Sequence, residues 1–106
     1  MASIEDFKKL ELKIATIKEV NDHPDADKLY VIVIQIGEQT KQIVAGIKNF
    51  YQKEDLFGKQ VVVVDNLEPA VLRGVESQGM LLAAQDDEGI CIITPERKVK
   101  TGSTVK

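Results

Sequence analysis

An all-β fold is what this 106-residue sequence predicts: a five-stranded barrel with a short helix between its third and fourth strands and extensions at both ends. Three observations carry that prediction. Apolar residues come in short runs separated by turn residues at fairly even intervals, the spacing of a barrel or sandwich rather than of a βαβ repeat. The runs are rich in Val and Ile, which suit a pleated surface. Only residues 49–58 give up alternation for helix formers. About 100 residues with 43% hydrophobic content support one core, so residues 1–106 read as a single domain.

At the N-terminus, Ser3 followed by Asp6 is a helix-start signal sufficient for one or two turns. From Leu10 to Val20 the apolar positions run Leu10, Leu12, Ile14 and then change parity at Ala15 and Ile17, with Glu11, Lys13 and Lys18 interleaved. A change of parity predicts a β-bulge, by which a long strand turns a barrel corner. Asn21 to Asp27 form a loop, in which Pro24 fixes φ and the aspartates accept local N–H groups. Residues 29–36 are apolar on both parities, so both faces of this second strand should be covered. Gly37-Glu38-Gln39 turns it into a third strand over 42–47. The helical stretch ends on Gly58, suited to a left-handed cap. Further strands fall at 60–64, 79–84 and 89–93. Asn66 to Gln78, with Pro69 and Gly74, reads as a long loop, a length usually reserved for function. Three strands, a helix and two strands is the order of the oligonucleotide/oligosaccharide-binding (OB) barrel.

Composition removes several functions. The apolar runs fall far short of the roughly 18 residues a membrane helix needs, so no membrane partner is expected. Residues 1–10 lack a hydrophobic signal core and Cys91 is the only cysteine, which points to the cytoplasm and leaves no disulfide frame or thiolate set for zinc. One histidine, one cysteine and no nucleophile-elbow or phosphate-loop motif argue against an enzyme and against a cofactor. His23, Asp25 and Asp27 could share a divalent cation, but the same residues make good turn chemistry, and no metal is expected. Cys91, inside an Ile-rich strand, reads as a buried thiol. The net charge of −3 argues on its face against a polyanionic partner. The charge is uneven, however: Glu19, Asp22, Asp25 and Asp27 share one short stretch, whereas Arg97 to Lys106 carries four cations and no acid.

Asn66 to Met80 holds most of the chemistry. Asn66, Ser77 and Gln78 bring hydrogen-bonding groups, Arg73 a guanidinium beside Gly74, and Met80 a thioether. Such a set could grip a sugar-phosphate edge and pack against a base, or it could be an ordinary connection. His23-Pro24-Asp25-Ala26-Asp27-Lys28-Leu29-Tyr30, Ile43-Val44-Ala45-Gly46-Ile47, Leu56 with Gly58-Lys59, Asn66-Leu67-Glu68-Pro69, and Arg73 through Ala84 resemble the tRNA-binding domain family. That family includes the C-terminal domain or β-subunit of methionyl-tRNA synthetase, free-standing structure-specific tRNA-binding proteins, and a domain of the endothelial monocyte-activating polypeptide. The likeness covers Glu5 to Lys106.

The resemblance implies an OB fold without catalysis that binds the outer corner of tRNA by shape, as a homodimer, free-standing or as an appendage of methionyl-tRNA synthetase. The early Met1 favours the free-standing form. Residue by residue, it implies RNA contacts at Asn66, Arg73, Ser77, Gln78 and Met80, and a basic face of Lys28, Lys41, Lys48 and Lys59, which the strand reading sets around one barrel mouth. Many relatives carry lysine where this chain has Glu68 and a basic residue where it has Ala70, so weaker, more salt-sensitive binding is expected. A related branch resembles a protein-export chaperone but lacks the Glu76 to Met80 run, which ranks tRNA binding above chaperoning here. Phe7, Leu10, Ile90 and Ile92 supply apolar surface beyond what the barrel interior can take, and with it a twofold dimer interface. A generic single-strand binder would need aromatics; of Phe7, Tyr30, Phe50, Tyr51 and Phe57, three surround the short helix, where core packing is the simpler use.

Overall fold

The computed structural model describes residues 1–106 and starts with a reciprocal cap: Ser3 Oγ accepts the Asp6 N–H at 3.1 Å and the Asp6 carboxylate accepts the Ser3 N–H at 3.0 Å. That cap sets α1 (Ile4–Lys8), none of whose residues is buried. β1 (Leu12–Asp22), β2 (Tyr30–Ile36), β3 (Gln39–Ala45) and β4 (Gln60–Val64) form a curled antiparallel sheet in the order β3-β2-β1-β4. α2 (Lys53–Leu56) lies between β3 and β4, buries Leu56 fully and is followed by Gly58 in the left-handed conformation at φ 83°. The helix is shorter than the 49–58 stretch, whose first part is turn.

Two cores explain the parity change in β1. Ala15 and Ile17 face inward with Ile32, Ile34, Ile43, Val61 and Val63, all in the main cluster. Leu12 and Ile14 face the other way and, with Val62 and Val64, pack under Leu82, Val99 and Val105 of the C-terminal segment. Both faces of β1 are covered, so apolar residues appear on both parities without a bulge at Ala15. The register shift falls instead between Ile17 and Glu19, where β1 leaves β4 and continues along β2. Part of the surplus apolar surface is thus covered by the chain's own tail, which ends as β10 (Thr104–Val105) on β1.

Residues 66–78 are not a plain loop. They contain a hairpin, β5 (Ala70–Leu72) and β6 (Val75–Ser77), which packs by β6 against β3. The expected strand over 79–84 breaks at Leu82 into β7 (Met80–Leu81) on β4 and β8 (Ala83–Asp86), which pairs with β9 (Gly89–Ile92). Segment 77–81 closes the curl between the free edges of β3 and β4: the Gln78 N–H donates to Gln42 O at 2.8 Å while Met80 and Leu81 pair with Val64 and Val63. A Cβ on Gly79 would sit 3.1 Å from Val64 O, so glycine permits that closure.

Three expectations are corrected. Cys91 is exposed, because it points away from the core on a two-stranded hairpin. Phe50 and Phe57 are exposed and outside the core, Phe50 lying over Gly89, since four-residue α2 needs only Leu56 as its anchor. Ile92 is 7% exposed within the main core and is therefore not surface open to a partner.

Candidate nucleic-acid interface

The loop after β1 and the β5–β6 hairpin are held together by one buried histidine. His23 Nδ1 lies 2.9 Å from the Asp25 N–H and Nε2 lies 2.9 Å from Leu72 O. An N–H only donates and a carbonyl only accepts, so the ring is neutral, with its proton on Nε2. Both nitrogens are occupied, which explains a 5% exposed histidine without a metal.

Above this lock the hairpin turns through Arg73 at φ 52° and Gly74 at φ 89°. Positive φ at both central positions is a type I′ turn, usually built with Asn-Gly or Asp-Gly. An arginine there costs roughly 1–2 kcal/mol of backbone strain. Its Nη2 donates to Asp25 O at 3.1 Å, so the guanidinium is anchored to the β1–β2 loop yet makes no ion pair. Arg73 and Lys28 share a groove of about 500 Å³ with Asp25, Ala26, Asp27 and Leu29. Two cations free of ion pairs over backbone of fixed geometry can hold phosphate oxygens, with the carboxylates of Asp25 and Asp27 on the same rim tempering the charge.

The other expected contacts divide by what their polar atoms already do. Asn66 Oδ1 accepts the Glu11 N–H at 2.8 Å and its Nδ2 donates to Lys9 O at 2.7 Å, which ties the hairpin's approach to the N-terminal segment. Ser77 Oγ, buried, accepts the Val44 N–H and donates to Gly79 O, both at 2.9 Å. Gln78 Oε1 accepts the Gln42 N–H at 2.9 Å, and its amide nitrogen has no partner within the chain. These three shape the surface. Met80 is 48% exposed, in an apolar groove with Val44, Ile47, Leu82 and Ile90.

The four lysines do not ring one mouth. Lys28 precedes β2 and Lys48 follows β3, and Tyr30 pairs with Ala45, so these two share an end of the sheet. Lys41 sits within β3 opposite Ile34, and Lys59 precedes β4, whose first residue pairs with Thr16 in mid-β1. Lys41 is bound to Asp65 at 2.6 Å, and Asp22 binds Lys48 at 3.0 Å and Lys53 at 3.1 Å. Hydrogen bonds from Lys48 and then Lys53 hold the Asp22 carboxyl below the usual carboxylate value. With a lowered value in the folded state, that stabilisation is present at neutral pH and is lost as the pH falls through it. Asp22→Asn should free two lysines, tighten the binding of a polyanionic ligand several-fold at low salt and steepen its salt dependence, read by a salt titration with folded RNA; unchanged affinity would place Lys48 and Lys53 off the ligand. Sequence reasoning missed Asp22 as the group restraining these lysines and His23 as the lock, because Lys48, Lys53 and Leu72 are all distant in sequence from the residues they meet.

A family model described as "Putative tRNA binding domain" matches residues 12–104. The chain belongs to the tRNA-binding domain family. It is similar to the methionine–tRNA ligase of Thermococcus onnurineus, 50% identical over 102 residues, which cover 96% of this chain but 14% of that ligase. Among solved structures it is similar to a MetRS related protein from Pyrococcus horikoshii, at TM-score 0.92 and 31% identity over 100% of this chain and 98% of that one. The CsaA chaperone protein of Picrophilus torridus is similar at TM-score 0.92 and 29% identity, each chain covered in full. The tRNA-binding domain fold is thus an OB-like half-barrel, as the strand order predicted. No helix is long and apolar enough to cross a membrane.

Proposed function

We propose that this chain is a non-catalytic, cytoplasmic tRNA-binding module of residues 1–106 that recognises folded tRNA by shape as a homodimer, serving methionyl-tRNA synthetase as an appendage or in trans. The single observation that supports it most is the Arg73–Lys28 groove, in which a strained, unpaired arginine is locked over the β1–β2 loop of a tRNA-binding domain. Lys28, Arg73 and the free amide of Gln78 contact phosphate and sugar edges, and Met80 packs against RNA. Asn66 and Ser77 hold that surface in place. Lys48 adds charge at its margin, Lys41 remains tied to Asp65, and Lys59 lies apart from it beside the middle of β1.

The homodimer rests on Ile4, Phe7 and Leu10, which α1 and its C-terminal flank leave exposed, together with half-buried Ile90. Two copies facing one RNA double a small number of contacts, which strengthens binding through effective concentration. Sedimentation at micromolar concentration should give twice the monomer mass, and Phe7→Ser with Leu10→Ser should give monomers; a monomeric parent chain would remove the dimer from the proposal.

A second reading follows from the likeness to the CsaA chaperone. The apolar groove beside Met80 could take an extended peptide. tRNA binding ranks first because ligase relatives reach 50% identity against 29% for that chaperone. Anisotropy of labelled tRNA decides: binding that weakens linearly in log salt supports the module, whereas no tRNA binding at low salt with capture of unfolded clients supports the chaperone.

A further inference from the structure

Two surface features at the junction of α2 and β4 lie outside the groove described above. One is a cleft of about 300 Å³ between residues 58–60 and 94–98, with no hydrophobic lining residue. Lys59, Arg97 and Lys98 line it against a single acid, Glu96. None of the three cations is in an ion pair, and Arg97 donates only to the neighbouring Lys98 carbonyl, at 3.0 Å. The outer wall is fixed: Gln60 donates to Val99 O at 2.6 Å and accepts the Val99 N–H at 2.9 Å, while the Val62 N–H donates to Ile93 O at 3.1 Å. Fixed walls and unneutralised cations make an anion site.

The other feature is Phe57, 66% exposed, in a shallow concavity with Lys18. Lys18 has no ion-pair partner, whereas Lys53 is held by Asp22, and Glu19 and Glu54 on the same rim temper the charge. Backbone bonds join the two features: the Ile17 N–H donates to Lys59 O at 2.8 Å and the Gly58 N–H to Ile17 O at 2.9 Å. Phe57 is therefore carried on the same rigid turn as the cleft.

We infer that this junction is a second RNA contact, taking one backbone phosphate among Lys59, Arg97 and Lys98 and stacking the adjoining base on Phe57. It rests on the tRNA-binding reading and extends it. β1 runs on from Ile17 to Asp22, roughly 17 Å, before it reaches the loop of the Arg73 groove, so the two contacts meet different nucleotides. A base that stacks on Phe57 must offer a free face, which a single-stranded nucleotide within or at the end of a folded RNA provides.

The test is a salt series of tRNA binding for the parent chain, the Arg97→Gln/Lys98→Gln pair, Phe57→Leu and Phe57→Tyr, beside Arg73→Ala. The double variant is expected to flatten the log–log salt slope by up to about one, the effect of one phosphate contact. Phe57→Leu should lose about tenfold in affinity at unchanged slope, and Phe57→Tyr should keep it, since tyrosine still stacks. All these positions are exposed, and a thermal melt checks that each variant folds. A flattened slope with no effect of Phe57→Leu overturns the stacked base. Parent-like binding by every junction variant, with Arg73→Ala still weakened, overturns the junction and leaves the Arg73 groove standing. A parent chain that binds no tRNA at any salt overturns both.

Discussion

Ser77→Ala is expected to lower the free energy of unfolding by about 2 kcal/mol or more, because a buried hydroxyl that satisfies one donor and one acceptor disappears without replacement. The Val44 N–H lies on the free edge of β3 and Gly79 O lies in the closing segment, so both lose their only named partner. With 5% exposure at Ser77, water restores neither bond without opening the closure between β3 and β4. Urea denaturation followed by far-ultraviolet circular dichroism reads the effect, and a loss under about 0.5 kcal/mol would mean that the seam is held elsewhere. Affinity for tRNA, measured where the variant stays folded, should change little. A large binding loss at full stability would return Ser77 to the RNA.

Arg73 should behave in the opposite way. Arg73→Ala is expected to weaken tRNA binding about tenfold at low salt and to reduce the salt slope by about one, the effect of one phosphate contact. Arg73→Gly should bind as poorly but fold more stably than the alanine variant by roughly 1 kcal/mol, since glycine adopts φ near +52° freely. That divergence separates backbone strain from charge. His23→Phe completes the set: it fills the volume but loses the bonds to Asp25 and Leu72, and it should lower affinity although His23 never meets RNA. An unchanged salt slope in Arg73→Ala would take the guanidinium off the phosphate backbone.

The four long strands were legible because Val and Ile alternate or crowd along them, and the short helix because alternation stopped there. The β5–β6 hairpin was not, since all three residues of β5 are exposed and its turn carries Arg-Gly in place of the usual Asn-Gly. The parity change at Ala15 was visible but had a second cause, the C-terminal tail covering the outer face of β1. In the site, residue type pointed to Arg73 and the family resemblance to Lys28, and the two share a groove. The same polar character in Asn66 and Ser77 serves bonds to Glu11, Lys9 and Val44, distant in sequence and therefore invisible to local pattern. Charge was the least legible property. Lysines 41, 48 and 53 look free in the sequence but are bound to Asp65 and Asp22, while Arg97 and Lys98 stand unpaired beside Lys59.

Recognition of folded tRNA by shape is the central claim, and the most direct measurement compares fluorescence anisotropy of a folded tRNA with that of an unstructured RNA of equal length over one salt series. The account predicts tighter binding to the folded tRNA at every salt concentration, with both affinities falling as salt rises. Equal affinity for the two RNAs would contradict it.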